Sequence, residues 1–295
     1  MYTLPPDLDR KSKIRHYSFT FFYIPITKRE IYVRNTIFPD RDFLSELAMR
    51  AGEIMMRFRW LPSETKEDGT PVTIADKSIN TFVICQIEKH FPHVSVIAEE
   101  GSRMAGSEYY IFCDPIDGTE SFCKGRNLSV FSISVVKNGI PLVAVIYNPF
   151  TRQLWSAERG KGCFMNGYRV NVSARDKVSK SSFYVMWWKG KEKLSQFSGH
   201  LSTLGGSILD EGSVVYPGGL VASGLFEGTI FPGNNSWEAA TMHLIVAEAG
   251  GRFTDLHGNE ITYPCSIDGC FEGVGHIASN GILHDELISL VSLFS

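Results

Sequence analysis

An α+β layered sandwich is the fold class that this 295-residue chain predicts. Three observations predict it. Helical periodicity and hairpin signals come in blocks and do not alternate as strict βαβ winding would. The β-rich runs are short, apolar and bounded by turn residues. A 43% share of hydrophobic residues is ample for a sizeable core, either one large domain or two closely packed lobes.

The elements follow in order. Pro39-Asp40 opens a first helix, with Leu44, Leu47, Ala48, Ala51, Ile54, Met55 and Phe58 at helical spacing. Residues 62–71 read as polar turn. A second helix starts near Asp76, buries Ile79, Phe82, Val83 and Ile87, and ends at Phe91-Pro92. Strands are expected at 94–98, 109–113, 130–136 and 142–147. The last two are joined by Asn138-Gly139, a strong hairpin signal. Another strand is expected at 153–157. Gly160, Gly162, Asn166 and Gly167 mark turns before a short strand at 169–172. Residues 176–206 are polar and fit no single element, and 221–231 are apolar and rich in small residues. A third helix spans Trp237 to Ala249, closed by Gly250-Gly251. A strand at 276–279 and a helix over 282–294 end the chain. No internal repeat or low-complexity tract is present.

Composition excludes several classes. A net charge of −3 argues against a dedicated nucleic-acid binder. No apolar run reaches the ~18–20 residues of a membrane span. The aromatic stretch Tyr17 to Ile26 is too short and carries Pro25, and it lacks the cleavage site of a signal peptide. Cys85, Cys113, Cys123, Cys163, Cys265 and Cys270 form no CxxC pair. They are expected to be reduced core thiols in a cytoplasmic protein. The sequons at Asn127, Asn171 and Asn234 carry no weight without a secretory signal. Residues 1–38 hold seven Lys or Arg against three acids and read as a loosely ordered or docked extension. No GxxxxGK[ST] loop or HExxH helix occurs.

The chemistry is carried by Asp114-Pro115-Ile116-Asp117-Gly118-Thr119, which follows the apolar run at 109–113. A buried strand that ends there delivers two carboxylates to one spot. Pro115 stiffens the backbone between them and Gly118 permits a sharp turn. Crowded carboxylates repel unless a cation sits between them, and hard divalent cations such as Mg²⁺ take oxygen ligands of this kind. Asp76, Glu99 and Glu238 lie at comparable element ends. Taken singly, Asp76 reads more readily as a helix N-cap, Glu99-Glu100 as a solvated loop, and Glu238 as a first-turn residue facing the helix dipole. Their combination with Asp114 and Asp117 points to metal-assisted chemistry on phosphate.

That combination resembles the inositol monophosphatase-like family of Mg²⁺-dependent, often lithium-sensitive phosphatases. The resemblance rests on Glu99-Glu100, on Asp114 to Thr119, and on Trp237-Glu238-Ala239-Ala240. Pro71-Val72-Thr73-Ile74-Ala75-Asp76, the Gly160 to Gly167 stretch and Glu248-Ala249-Gly250-Gly251 support it. It covers residue 40 to the C-terminus. It implies a layered αβαβα sandwich of the sugar-phosphatase type, with closely packed lobes of roughly 39–175 and 176–295. It further implies two or three Mg²⁺ per site and a homodimer. Glu99, Asp114 and the Ile116 carbonyl would hold one ion; Asp114, Asp117 and Glu238 a second; Asp76, through water, and Glu99 a third. Thr119, linked to Asp76, would orient the attacking water, and the N–H groups of Gly118 and Thr119 would take phosphate oxygens.

The implied reaction is hydrolysis of a small phosphorylated metabolite, a polyol or sugar phosphate, by in-line attack of water. Inositol monophosphate leads; fructose-1,6-bisphosphate and histidinol phosphate are alternatives. A non-catalytic metal- or phosphate-binding descendant is the reading from a different class. Three departures from the family pattern stand out. The distal acid is Glu238 where the family has Asp, which moves its oxygen by on the order of a C–C bond. Glu120-Ser121 replaces small or amide residues. Pro217 interrupts the substrate-recognition segment at 212–217.

Overall fold

The computed structural model describes residues 31, 36–187, 192–209, 212–264 and 274–294. Most of the expected extension over 1–38 therefore lies outside the described residues, as do Cys265 and Cys270.

α1 (Arg41–Phe58) begins on Asp40, whose carboxylate accepts from the backbone N–H of Phe43 at 2.9 Å. That satisfies one donor that a helix start otherwise leaves orphaned. β1 (Ser63–Thr65) and β2 (Pro71–Thr73) pair antiparallel inside the stretch read as turn. Strands of three residues are too short for periodicity to reveal. α2 (Ile74–His90) starts two residues before Asp76, because Thr73 is the cap and its hydroxyl accepts from Ala75 N–H at 3.1 Å.

The first sheet holds β3 (Ser95–Ala98) and β4 (Tyr109–Asp117), then, after the short α3 (Thr119–Cys123), β5 (Val130–Lys137). It continues with β6 (Ile140–Asn148), β7 (Gln153–Glu158), β8 (Gly162–Met165) and β9 (Tyr168–Val170). Spatial order follows chain order; β3 runs parallel to β4 and every later pair is antiparallel. Asn138 and Gly139 take φ of 51° and 78°, the left-handed pair that a two-residue hairpin needs. β8 is hidden from a sequence reading by the glycines and Asn166 around it.

The second sheet is built from β10 (Ser182–Val185), β11 (Ser207–Leu209), β12 (Gly228–Asn234), β13 (Arg252–Asp255) and β14 (Val274–Ser279), in the order β11-β10-β12-β14-β13. Its helices are α4 (Glu192–Thr203), α5 (Tyr216–Ala222), α6 (Ser236–Glu248) and α7 (His284–Ser292). The apolar stretch at 221–231 is not one element. Gly224, at φ 68°, separates the end of α5 from β12.

α1 and α2 pack on one face of the first sheet, and α5 and α6 on the other. α6 also meets β13 and β14, while α4 and α7 pack with the second sheet. Neighbours in β14 sort by face: Ala278 joins the core around α6, and Ile277 joins the core with Phe197 of α4 and Leu287 of α7. The layers therefore read αβαβα, as expected. Among the described residues no helix is long and apolar enough to cross a membrane.

Candidate metal centre

Two strand ends meet here, and each is bent by a bulge that contains proline. In β4, Asp114 pairs with Ser132 and Asp117 with Val130, so β4 carries one extra residue. Residues three apart in a regular strand point to opposite faces. The extra residue swings Asp114 and Asp117 to one side, and Pro115, which lacks a ladder N–H, sits where a bulge tolerates it. In β12, Phe231 pairs with His276 and Asn234 with Val274, a second shift that includes Pro232. Two residues later α6 begins, with Glu238 in its first turn. One carboxylate oxygen from each of Asp114, Asp117 and Glu238 lies within 4.8 Å of the others. Asp114 and Asp117 are buried and Glu238 partly so.

Each of these acids has an oxygen fixed by the protein. Asp114 Oδ1 accepts from Ile116 N–H at 3.0 Å. Glu238 Oε2 accepts from Asn235 N–H at 2.6 Å, the helix reaching back to its own cap. Asp117 accepts from Val214 N–H at 3.0 Å on Oδ1, from Val215 N–H at 2.7 Å on Oδ2, and from the Ser213 hydroxyl on Oδ2.

The other expected residues fall around this cluster. Asp76 is not the N-cap of α2 but the third residue past it. Its Oδ2 accepts from Thr73 N–H at 2.8 Å and Thr73 Oγ1 at 2.5 Å, and its Oδ1 lies 3.3 Å from Thr119 Oγ1. Thr119 Oγ1 also sits 2.9 Å from the Ile116 carbonyl, so Thr119 joins Asp76 to the β4 turn. Gly118, at φ 82°, lets the chain turn from β4 into α3. Glu99 is not in the three-acid cluster. Its carboxylate meets Lys66 Nζ at 2.7 Å, and the same ammonium pairs with Glu100. Sequence reasoning missed Lys66, which lies in the supposed polar turn with no spacing signal. It also missed Ser213, whose segment was noted for Pro217 and not for its hydroxyl.

The electrostatics follow from crowding in a low-dielectric place. Burial raises the Asp114 carboxyl well above the usual range, and the charges of Glu99, Asp117 and Glu238 add to that. Burial lifts Asp117 to about 6 against the pull of its hydrogen bonds from Ser213, Val215 and Val214. Burial and the Asp117 charge carry Glu238 to about 8. Asp76 rises to about 6, again through burial, with the Thr73 bonds opposing. Burial pulls the Lys66 ammonium down, but hydrogen bonds to Glu100 and Glu99 outweigh it and hold it above its ordinary value. Four acids so placed cannot all ionise near neutrality without added positive charge. A donor set made only of carboxylate oxygens suits a hard divalent cation.

The sequence profile of the inositol monophosphatase family matches residues 39–293. The chain belongs to that family. Its members are phosphatases, and this chain is a phosphoric monoester hydrolase of the same kind. A histidinol-phosphatase of Chlorobaculum parvum is 33% identical over 261 residues, which span 86% of this chain and 96% of that protein. A Thermotoga maritima protein named fructose-1,6-bisphosphatase/inositol-1-monophosphatase is 29% identical over 260 residues, spanning 85% of this chain and 95% of the relative. Among solved structures, the Thermotoga maritima IMPase superposes with a TM-score of 0.77 at 27% identity, covering 86% of this phosphatase and 96% of that chain. The family is metal-dependent, and the acidic cluster is consistent with that.

Proposed function

We propose that this phosphatase hydrolyses a small polyol or sugar monophosphate with Mg²⁺, and that inositol monophosphate is the leading substrate. The observation that carries the reading is the convergence of Asp114, Asp117 and Glu238 within 4.8 Å, beside a Thr119–Asp76 pair. In this reading Asp114, Asp117 and Glu238 hold one ion. Glu99, Asp114 and the Ile116 carbonyl hold a second, and Asp76, through water, and Glu99 support a third. Mg²⁺ bound there would lower the pKa of a coordinated water and offset charge on the phosphoryl oxygens and the leaving alkoxide.

The chain's own residues do the rest. Thr119 has one hydroxyl proton and two acceptors in reach, Asp76 Oδ1 and the Ile116 carbonyl. With that proton committed to an acceptor, the lone pairs of Thr119 Oγ1 are free to accept from the attacking water and so orient it. Asp76, lifted toward neutrality, is suited to take a proton at the working pH. The N–H groups of Gly118 and Thr119 stand at the start of α3, where donors lack helical partners, and are assigned to the phosphate oxygens. Glu238 in place of Asp keeps a carboxylate in the cluster while its Oε2 accepts from Asn235 N–H. This favours an active enzyme over a non-catalytic descendant.

Phosphate release from inositol monophosphate, fructose-1,6-bisphosphate and histidinol phosphate, each with Mg²⁺ and with EDTA, tests the reading. Mg²⁺-dependent turnover, highest on inositol monophosphate, is expected. A higher kcat/KM on histidinol phosphate would move the substrate to that alternative. No release from any of them would overturn the enzyme reading. A homodimer in the cytoplasm is the accompanying expectation; light scattering on the purified chain checks the assembly.

A further inference from the structure

The geometry points to Ser213 as the positioning residue that decides which oxygen of Asp117 faces the metal centre. The inference rests on the reading of Asp117 as a metal ligand and goes beyond it, to a residue from the segment before α5.

A carboxylate offers about four lone-pair positions on its two oxygens. On Asp117, Oδ2 is used twice, by the Ser213 hydroxyl and by Val215 N–H, and Oδ1 once, by Val214 N–H. The position left open is therefore on Oδ1, and Oδ2 is turned away by contacts from 96 residues along the chain. Ser213 is itself oriented. Its Oγ accepts from Tyr216 N–H at 2.8 Å, which directs its single proton to Asp117. Ser213 is 1% exposed and Asp117 2%, so water does not substitute for either partner. The backbone around Ser213 is confined as well. Gly118 approaches so closely that a Cβ there would meet Gly212 O at 3.0 Å and Ser213 Cα at 3.2 Å, and a Cβ on Gly212 would meet Leu128 Cβ at 2.8 Å. Among the described groups bound to Asp117, only the Ser213 hydroxyl is a side chain, so of these it alone can be removed by substitution. Outer partners of this kind govern how firmly a ligand is held, and losing one costs roughly 10–100-fold in metal affinity.

The rival role for Ser213 is structural: it caps the start of α5 through Tyr216. Mn²⁺ titration of the full chain without substrate, followed by the free-ion electron paramagnetic resonance signal, separates the two. The variants are Ser213→Ala, Ser213→Cys (similar size, weak donor) and Ser213→Thr (hydroxyl kept). The expected result is a Kd weakened roughly tenfold in the Ala and Cys variants and within about twofold of wild type in Thr. The Mn²⁺-induced rise in melting midpoint should shrink in the same two variants. An unchanged Kd in Ser213→Ala or Ser213→Cys, with melting lowered equally with and without Mn²⁺, would overturn the inference. A wild-type chain that takes up no Mn²⁺ would overturn it together with the ligand role of Asp117. Turnover of no phosphate ester, with the tenfold difference intact, would sink the phosphatase reading alone.

Discussion

At the starts of α2 and α6 an acid three residues past the cap accepts the cap's own backbone N–H: Asp76 from Thr73 at 2.8 Å, Glu238 from Asn235 at 2.6 Å. Both acids are raised in pKa by burial first. They differ in what their other oxygen does. Asp76 Oδ1 is taken up by Thr119 Oγ1, and Asp76 is not among the three acids that converge. Glu238, one methylene longer, accepts from Asn235 on Oε2 and still reaches the cluster with Asp114 and Asp117. One capping device thus presents two acids with different assignments, one proposed to handle a proton and to support an ion only through water, the other to hold an ion directly. The comparison also gives Glu238 a reason to be Glu: it serves the helix cap and the cluster at once.

The sharpest way to break this contrast is to neutralise each acid in turn. Asp76→Asn should lower kcat by roughly 10²–10⁴, the usual contribution of a positioned acid–base group, while Mn²⁺ affinity stays within a few-fold. Glu238→Gln should weaken Mn²⁺ binding by at least about 10–100-fold, since even an outer partner costs that much, and excess Mg²⁺ should recover part of its activity. Steady-state kinetics and metal titration on both variants decide; identical profiles for the two would erase the distinction.

A second test uses pH. Folded-state pKa values raised above the ordinary range stabilise the metal-free protein only at low pH. That contribution is lost as pH rises through about 6 for Asp76 and Asp117 and through about 8 for Glu238. Melting in EDTA should therefore worsen from pH 5 to pH 8 relative to melting in Mg²⁺. The Mg²⁺-induced shift should widen over that span, at about 2–4 °C per kcal/mol for a chain of this size. A shift that is flat or narrows with pH would show that these acids are not the ones neutralised.

A smaller effect comes from the third helix start, α3, which has a left-handed glycine and no side-chain cap. Gly118→Ala places a Cβ at φ 82° and 3.0 Å from Gly212 O. It should destabilise by about 1–2 kcal/mol from the left-handed backbone alone, with a further loss from that contact. Denaturant midpoints measure it, and an unchanged midpoint would mean that the 212–213 segment yields freely.

How much of this was legible depended on how local the signal was. Asp114 to Thr119 could be read because strand, proline, glycine and both acids fall within a few residues. The Asn138-Gly139 hairpin and the α1 periodicity were legible for the same reason. The bulges were not, since a bulge is a relation between strands. Asp76 invited reading as a cap because Thr73, the true cap, is as good a capping residue. β1, β2, β8 and β13 are three or four residues long, below the length at which alternation shows. Lys66 and Ser213 gained their roles only through folding, the first by pairing 33 residues onward with Glu99 and the second by reaching back 96 residues to Asp117.

The most direct test of the central claim is phosphate release by wild type and Asp117→Asn, with Mg²⁺ titrated from none to saturation. The account predicts turnover that depends on Mg²⁺ in wild type and falls by at least roughly 10²–10³ in the variant, the scale of losing one electrostatic stabiliser. Equal turnover by the two proteins, or full wild-type turnover in EDTA, would contradict it.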